Sequence, residues 1–123
     1  MTTQSHATLP AVDEAAISEL EQGLPGGDLS NALCTFADEL ERRGGALVQL
    51  HADVDGDELS SLAHGLKGSA ATFCAPALAH AAKALEDKLA TRDIQEISTA
   101  MRQLSAELHR TVEHLRKLLA RRG

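Results

Sequence analysis

Hydrophobic residues recur at intervals of three and four along most of the chain. This spacing places side chains on one face of an α-helix, and it therefore predicts amphipathic helices. A stripe between Leu29 and Val54 predicts one long helix from about Asp28 to Asp53. The most regular stripe comes last and consists of Ile94, Ile97, Met101, Leu104, Leu108, Thr111, Leu115 and Leu118.

Two further stripes predict helices between these long ones. After the turn Asp55-Gly56-Asp57, the apolar positions extend from Leu59 to Phe73. After Pro76, which suits a first helical turn, they extend from Leu78 to Leu89, and Thr91-Arg92-Asp93 is expected to close that helix and cap its successor.

Glycines and a capping residue predict where other helices bend or begin. The pair Gly44-Gly45 interrupts the first long helix, and a bend or brief break is expected there. A short additional N-terminal helix is predicted from Asp13, its N-cap, to Gly23, with a turn at residues 25–27 after it. Residues 1–12 are expected to be mobile, and residues 13–123 to form one domain with its core in 28–118.

These elements predict an all-α fold, an antiparallel up-down four-helix bundle with a short additional N-terminal helix. Four helices with one apolar stripe each, joined by short turns, bury those stripes against one another. A two-chain coiled coil through the last helix is the alternative, but three other matching stripes favour burial within one chain, and a monomer is expected. The absence of Trp and Tyr and the abundance of helix-forming residues agree with this fold class.

Charge and composition narrow the possible partners and location. The formal net charge is −6, and the basic residues are scattered except at the C-terminus, so nucleic acid is not an expected partner. No apolar run approaches the length of a membrane span, and the chain is expected to be cytoplasmic. Cys34 and Cys74 are expected to be reduced thiols in the core.

The candidate functional residues lie on the outer face of the helix that contains His64. Residues three and four apart are neighbours on a helix, so one face carries His64 with Lys67 and Gly68. The remaining positions assigned to this face or beside it are Ser60, Ser61, Gly65 and Ala71. This face lies away from the apolar stripe, and His64 is therefore expected to be exposed to solvent.

Two glycines beside His64 indicate more than an ordinary solvated helix face. Gly65 and Gly68 together cost the helix about 2 kcal/mol relative to alanine. Gly68 and the small residues on this face leave the imidazole open to a large partner. Lys67 can offset the charge of a phosphoryl group, and a neutral imidazole can attack one. The residues thus describe a phosphorylatable histidine on a docking surface.

The run Ala63-His64-Gly65-Leu66-Lys67-Gly68-Ser69-Ala70 resembles the motif of the histidine-containing phosphotransfer (HPt) domain of two-component phosphorelays. That family is likewise a four-helix bundle with the histidine on its second helix. Two departures stand out. Cys74-Ala75 replaces a common Gly-Ala pair, which affects local geometry, and Gly65 replaces the more usual Thr, Ser or Ala.

The resemblance implies a phosphoryl carrier that is not itself an enzyme. His64 would accept a phosphoryl group from a receiver-domain aspartate and relay it to another receiver, either in a hybrid kinase or in a response regulator. The receiver would supply Mg²⁺ and the acidic pocket, so no cofactor is expected in this chain. Folding the chain back about residues 74 and 75 places Lys83, Glu86 and Asp87 opposite His64, where Glu86 would accept from the ring and Lys83 would contact the phosphoryl group.

The residues also leave an alternative to phosphotransfer and raise the question of a metal site. A helical adaptor with the same fold would use the His64 face for binding a receiver or another signalling protein without phosphotransfer. A metal site is not expected, because His109 and His114 are five residues apart and a zinc pair on one helix needs a spacing of three or four.

Overall fold

The computed structural model describes residues 9–23 and 28–122 and contains five α-helices and no strand within these ranges. The helices are α1 Glu14–Gln22, α2 Asp28–Leu47, α3 Gly56–Thr72, α4 Pro76–Thr91 and α5 Ile94–Arg122. The predicted all-α class is confirmed. The turn predicted at residues 25–27 lies outside the described residues, as do residues 1–8 of the N-terminal segment.

One hydrophobic core joins the four longer helices into a helical bundle. The most extensive contacts are those of α3 with α4, α2 with α5, and α4 with α5. Fully buried leucines come from every one of these helices: Leu33, Leu40, Leu59, Leu66, Leu78, Leu85, Leu104 and Leu115. Each buried leucine side chain contributes about 1.5–3 kcal/mol, so the predicted stripes hold the bundle together. Phe36 of α2 stacks on Phe73, with ring centroids 4.5 Å apart.

Helix α2 ends at Leu47, earlier than the Asp53 that its apolar pattern predicts. The helix continues through Gly44-Gly45 without the expected break. Residues 48–55 then form turns, in which the Asp55 carboxylate accepts a hydrogen bond from the backbone N–H of His51 at 2.6 Å. Val54 keeps the helical spacing by coincidence, since its side chain is 71% exposed. The weak helix propensity of two glycines so near the end favours termination there.

The connection between α3 and α4 reverses the chain in three residues. The N–H of Ala75 donates to the carbonyl of Ala70 at 2.8 Å, and the N–H of Cys74 donates to the carbonyl of Ala71. This pair of bonds is the Schellman motif, which requires a left-handed residue, and Cys74 has φ 59°. Cys74 therefore occupies the position at which the resembled family commonly has glycine.

The connection between α4 and α5 also uses a left-handed residue. Arg92 has φ 60°, and its N–H donates to the carbonyl of Leu89. Asp93 then caps α5 as predicted, because its carboxylate accepts a hydrogen bond from the N–H of Glu96 at 3.1 Å.

The described part of the segment ahead of α1 is packed against the bundle, although residues 1–12 are predicted to be mobile. Ala11 and Val12 are each only 3% exposed. The carbonyl of Pro10 accepts a hydrogen bond from the N–H of Ala77 at 3.2 Å, and the N–H of Asp13 donates to the carbonyl of Cys74 at 2.7 Å. Because α4 has no side-chain cap, the Pro10 carbonyl satisfies a backbone donor in its first turn.

Helix α1 itself begins as predicted and is tied to α5. The Asp13 carboxylate accepts from the N–H of Ala16 at 3.1 Å, and Ile17 is buried. The Glu14 carboxylate lies 2.8 Å from Nε2 of His114, and Glu21 forms an ion pair with Arg122. Hydrogen bonds to these partners lower the pKa values of both glutamates.

The thiol of Cys34 is not in the core. Cys34 is exposed, because its position follows Leu33 of the stripe by one residue and is rotated about 100° around the helix. Cys74 is half-buried, and desolvation raises the pKa of its thiol. In the described part of the chain, no helix has both the length and the apolar character needed to cross a membrane.

Candidate phosphotransfer site

Helix α3 presents His64 to solvent because its two flanking stripe positions face inward. Ala63 and Leu66 are completely buried, whereas the side chain of His64 is 77% exposed. Ser60, Ser61 and Ala71 are also exposed. The structure therefore brings to one surface most of the residues that the sequence assigned to it.

Glu86 of α4 contacts both His64 and Lys67. One of its carboxylate oxygens lies 3.3 Å from Nδ1 of His64, and the other accepts a hydrogen bond from Nζ of Lys67 at 2.7 Å. The hydrogen bond from Lys67 is the main reason that the pKa of Glu86 is lowered, so this carboxylate is ionised at neutral pH.

This contact orients the imidazole for chemistry at its other nitrogen. When neutral His64 carries its proton on Nδ1, that N–H donates to Glu86, and the lone pair of Nε2 is left free. The ring then points an unprotonated nitrogen at solvent from an otherwise open helix face. The approach of Glu86 agrees with the prediction made from folding the chain about residues 74 and 75.

Lys83, which the sequence also places opposite His64, pairs instead within its own helix. Its Nζ lies 3.3 Å from a carboxylate oxygen of Asp87, one turn further along α4. The structure thus brings Glu86, and not Lys83, to His64. Lys67 is the cation next to His64, since both side chains contact the carboxylate of Glu86.

The two glycines of the motif have different surroundings. A Cβ atom added to Gly68 would meet no atom within 4 Å, so a side chain there would extend into open space beside His64. A Cβ atom on Gly65 would lie 2.5 Å from Nη1 of Arg43. Gly65 is therefore half-buried beneath a side chain from α2, which differs from the open docking position that the sequence predicts.

Arg43 is a residue of this surface that sequence reasoning missed. Its side chain is 28% exposed, and its Nε donates to the carboxylate of Glu39 at 2.8 Å. This contact lowers the pKa of Glu39. The unusual glycine at position 65 was the available signal, but the sequence does not reveal which side chain covers it.

The charged groups that the described structure places at His64 are the carboxylate of Glu86 and, through it, the ammonium group of Lys67. Within residues 9–23 and 28–122, no group of three His, Cys, Asp or Glu side chains is arranged to hold a metal ion. The site can present an imidazole nitrogen, with a carboxylate behind the ring and an ammonium group beside it. That arrangement suits the acceptance of a group delivered by a partner.

Comparisons with known proteins agree with this geometry at the level of the family. A family model described as "Hpt domain" matches residues 13–120, which includes all five helices except the last two residues of α5. The comparisons with curated proteins and with solved structures give no match.

Proposed function

Because the chain belongs to the Hpt domain family, we propose that it is a phosphorelay carrier in which His64 is the phosphorylated residue. His64 would accept a phosphoryl group from a receiver-domain aspartate and pass it to a second receiver. The observation that carries this proposal is the exposed imidazole with Glu86 at Nδ1, since that contact leaves Nε2 free to attack.

The proposed step needs little chemistry from this chain. The lone pair of Nε2 attacks the phosphorus atom, the bond to the aspartyl oxygen breaks, and the aspartate leaves as a carboxylate. The imidazole, which keeps its proton on Nδ1, becomes positively charged, and the ionised Glu86 stabilises that charge. Lys67 offsets the charge of the phosphoryl oxygens.

The remaining requirements are assigned to the partner. The receiver would hold Mg²⁺ and the acidic pocket around its aspartate, so this chain acts as a carrier and not as an enzyme. Receivers of a hybrid kinase or of response regulators fit this role. Gly68, with open space beyond its Cα, would allow such a protein to approach closely, and the exposed Ser60, Ser61 and Ala71 would lie in the contact.

We also propose that the four longer helices run alternately up and down. Contacts between α2 and α5 support this order, because Ser30 meets Arg122 while Asp38 meets Arg116. Residue numbers therefore rise along one helix as they fall along the other. The connections of two and three residues that flank α4 are also typical of neighbouring helices in such bundles.

Labelling with a phosphorylated receiver tests the function. Wild-type protein should acquire an acid-labile, alkali-stable label from a receiver phosphorylated on its aspartate, whereas His64→Gln should acquire none. His80→Gln is the matched control, since it removes another exposed histidine from the neighbouring helix and should leave labelling intact.

The adaptor alternative predicts a different result. In that case the wild-type protein would bind a receiver without taking up label, and His64→Gln would bind equally well. Label retained by His64→Gln would show that His64 is not the acceptor.

A further inference from the structure

One groove of the bundle brings exposed apolar side chains together. This end groove lies where α3 begins, α4 ends and α5 begins, beside the turns of residues 48–55. Val54 from those turns and Ile94 from α5 both line it, and they are 71% and 49% exposed. The half-buried Leu89 of α4 adds to its apolar lining. Single exposed apolar residues are normal, but apolar residues gathered in one groove indicate a surface that another molecule covers.

The charged residues of the end groove carry more negative than positive charge. They are Asp53, Asp57, Glu86 and Arg92. Glu86 is paired with Lys67, so its charge is offset. Among residues 9–23 and 28–122, no basic side chain forms an ion pair with Asp53 or Asp57. Two exposed carboxylates without an ionic partner in these ranges thus share the groove with one guanidinium.

The stretch of chain that forms this rim adds further negative charge. Between Arg43 and Lys67 the sequence contains no lysine or arginine. The same stretch contains four acidic residues, which are Asp53, Asp55, Asp57 and Glu58. A basic group would be attracted to this surplus and an acidic group would be repelled. Charge complementarity therefore favours a partner that brings a lysine or arginine to the rim.

The end groove is continuous with the surface around His64. Glu86 belongs to both, since its carboxylate lies 3.3 Å from Nδ1 of His64 and it also lines the groove. Ser60, another lining residue, precedes His64 by four positions and is its neighbour on the helix face. A protein that covers His64 therefore reaches the groove by extending over about one helical turn, about 5–6 Å.

We infer that the end groove is part of the docking surface for the protein that exchanges the phosphoryl group with His64. This inference rests on the proposed function. The partner places an apolar side chain beside Val54 and Ile94, and it places a lysine or arginine against the rim that contains Asp53 and Asp57. The apolar contact supplies affinity because it removes hydrocarbon from water, and the charges select partners with a basic group at this position.

Removing apolar surface from the groove gives the first test. The probe is a receiver, phosphorylated on its aspartate, that labels the wild-type protein. Val54→Ser should raise the receiver concentration needed for half-maximal transfer about fivefold, because two methyl groups are lost from the contact. The maximal rate should stay unchanged. The variant should fold normally, since the side chain is exposed in the free protein.

Val48→Ser is the matched control for this variant. Val48 lies in the same turns and is 68% exposed, but it does not line the end groove. The same exchange at position 48 should leave half-maximal transfer unchanged.

Removing one charge from the rim tests the chemistry of the partner. Asp57→Asn should raise the half-maximal receiver concentration about threefold, within the range for one exposed charge pair. The dependence of transfer on salt should become shallower, because one attraction between opposite charges is lost. A rise in affinity in Asp57→Asn would show that the partner is acidic there and would overturn the proposal.

Asp28→Asn is the control for the charge variant. Asp28 and Asp57 both lie in the first turn of a helix, so the two exchanges affect their helices alike. The 20 residues of α2, about 30 Å long, separate Asp28 from the turns that lead into α3. Asp28→Asn should leave both the half-maximal concentration and its salt dependence unchanged.

Labelling by phosphoramidate, a small phosphoryl donor that requires no docking, separates the remaining outcomes. Wild type, Val54→Ser and Asp57→Asn should be labelled by it at equal rates. Equal losses of labelling from both donors would show that the groove acts on the imidazole and would overturn its docking role.

Two further results would also overturn that role while leaving phosphotransfer in place. One is receiver kinetics of Val54→Ser that match those of Val48→Ser. The other is a wild-type dimer that Val54→Ser dissociates, which would assign the groove to a second copy of the chain. Failure of the wild type to be labelled by either donor would instead overturn the proposed function, and this inference with it.

Discussion

At the scale of single residues, two glycines three positions apart on α3 have opposite surroundings: one is covered by a side chain and the other is open to solvent. Gly65 makes room for the guanidinium of Arg43, whereas a Cβ atom added at Gly68 would have nothing within 4 Å of it. The helix would be more stable with alanine at position 68, because no contact opposes it. We therefore infer that glycine occupies position 68 because the lack of a side chain keeps His64 accessible to a partner.

Substitutions at Gly68 should separate stability from transfer. Gly68→Ala should raise the free energy of unfolding by about 1 kcal/mol in urea titrations. Gly68→Gln should slow transfer from a phosphorylated receiver roughly tenfold or more, because a long side chain holds the partner away from Nε2.

Gly45 provides the control for the transfer measurement. It also has open space beyond its Cα, and it lies in the last turn of α2. Gly45→Gln should leave transfer unchanged. If Gly68→Gln transferred at the normal rate, the assignment of Gly68 to steric access would be wrong.

At the scale of elements, both connections that flank α4 depend on a non-glycine residue in the left-handed region. Cys74 and Arg92 have φ values of 59° and 60°. This conformation costs an L-residue about 1–2 kcal/mol. At position 74 the side chain packs partly against the core, which offsets some of that cost, whereas Arg92 is exposed.

Glycine at position 92 should therefore stabilise the protein. Arg92→Gly should raise the free energy of unfolding by about 0.5–1 kcal/mol, since it relieves the strain of the backbone at the end of α4. The comparison is Arg102→Gly, which makes the same exchange at an exposed position inside α5. That variant should lose about 1 kcal/mol. A loss of stability in both variants would contradict the left-handed assignment.

The helices could be predicted from the sequence where the apolar spacing reflects burial. The last stripe predicted α5 well, although Ile94 at its start is 49% exposed. The stripe of α2 continues by chance to Val54, and spacing alone cannot distinguish a buried position from an exposed one. The weak helix propensity of the glycines near Leu47 and the turn held by Asp55 decide the true end.

The site could be predicted where it depends on neighbours along one helix or on a short reversal. Lys67 and Gly68 follow from helical spacing, and Glu86 follows from a reversal of three residues between α3 and α4. Arg43 approaches from α2, which is not joined to α3 through a tight turn. Its contact with Gly65 depends on how α2 packs against α3, and the spacing of residues along the sequence does not determine that packing.

At the scale of the whole molecule, the bundle includes the segment that precedes α1. Leu9, Pro10 and Asp13 all make hydrogen bonds to other parts of the chain, and Val12 adds a buried side chain to the core. This segment closes the end of the bundle at which α3 turns into α4. We expect its buried side chains and hydrogen bonds to contribute to folding stability.

Two valine substitutions should measure that contribution. Val12→Ala should lower the free energy of unfolding by about 1–2 kcal/mol, because it removes two buried methyl groups. Val48→Ala makes the same exchange at a side chain that is 68% exposed, and it should change stability by less than about 0.5 kcal/mol. Equal, small effects in both variants would show that the segment does not pack in solution.

The path of this segment also determines how the domain can be tethered. The carbonyl of Leu9 accepts a hydrogen bond from Arg110 of α5, and Leu9 lines the same shallow cavity as Ala81 of α4. Glu86, which contacts His64, lies on the side of α4 that faces α3. An immobilising tag or a fused protein joined directly to Leu9 would thus start beside α4 and α5. It would leave the histidine accessible on a sensor surface or beside a tethered partner.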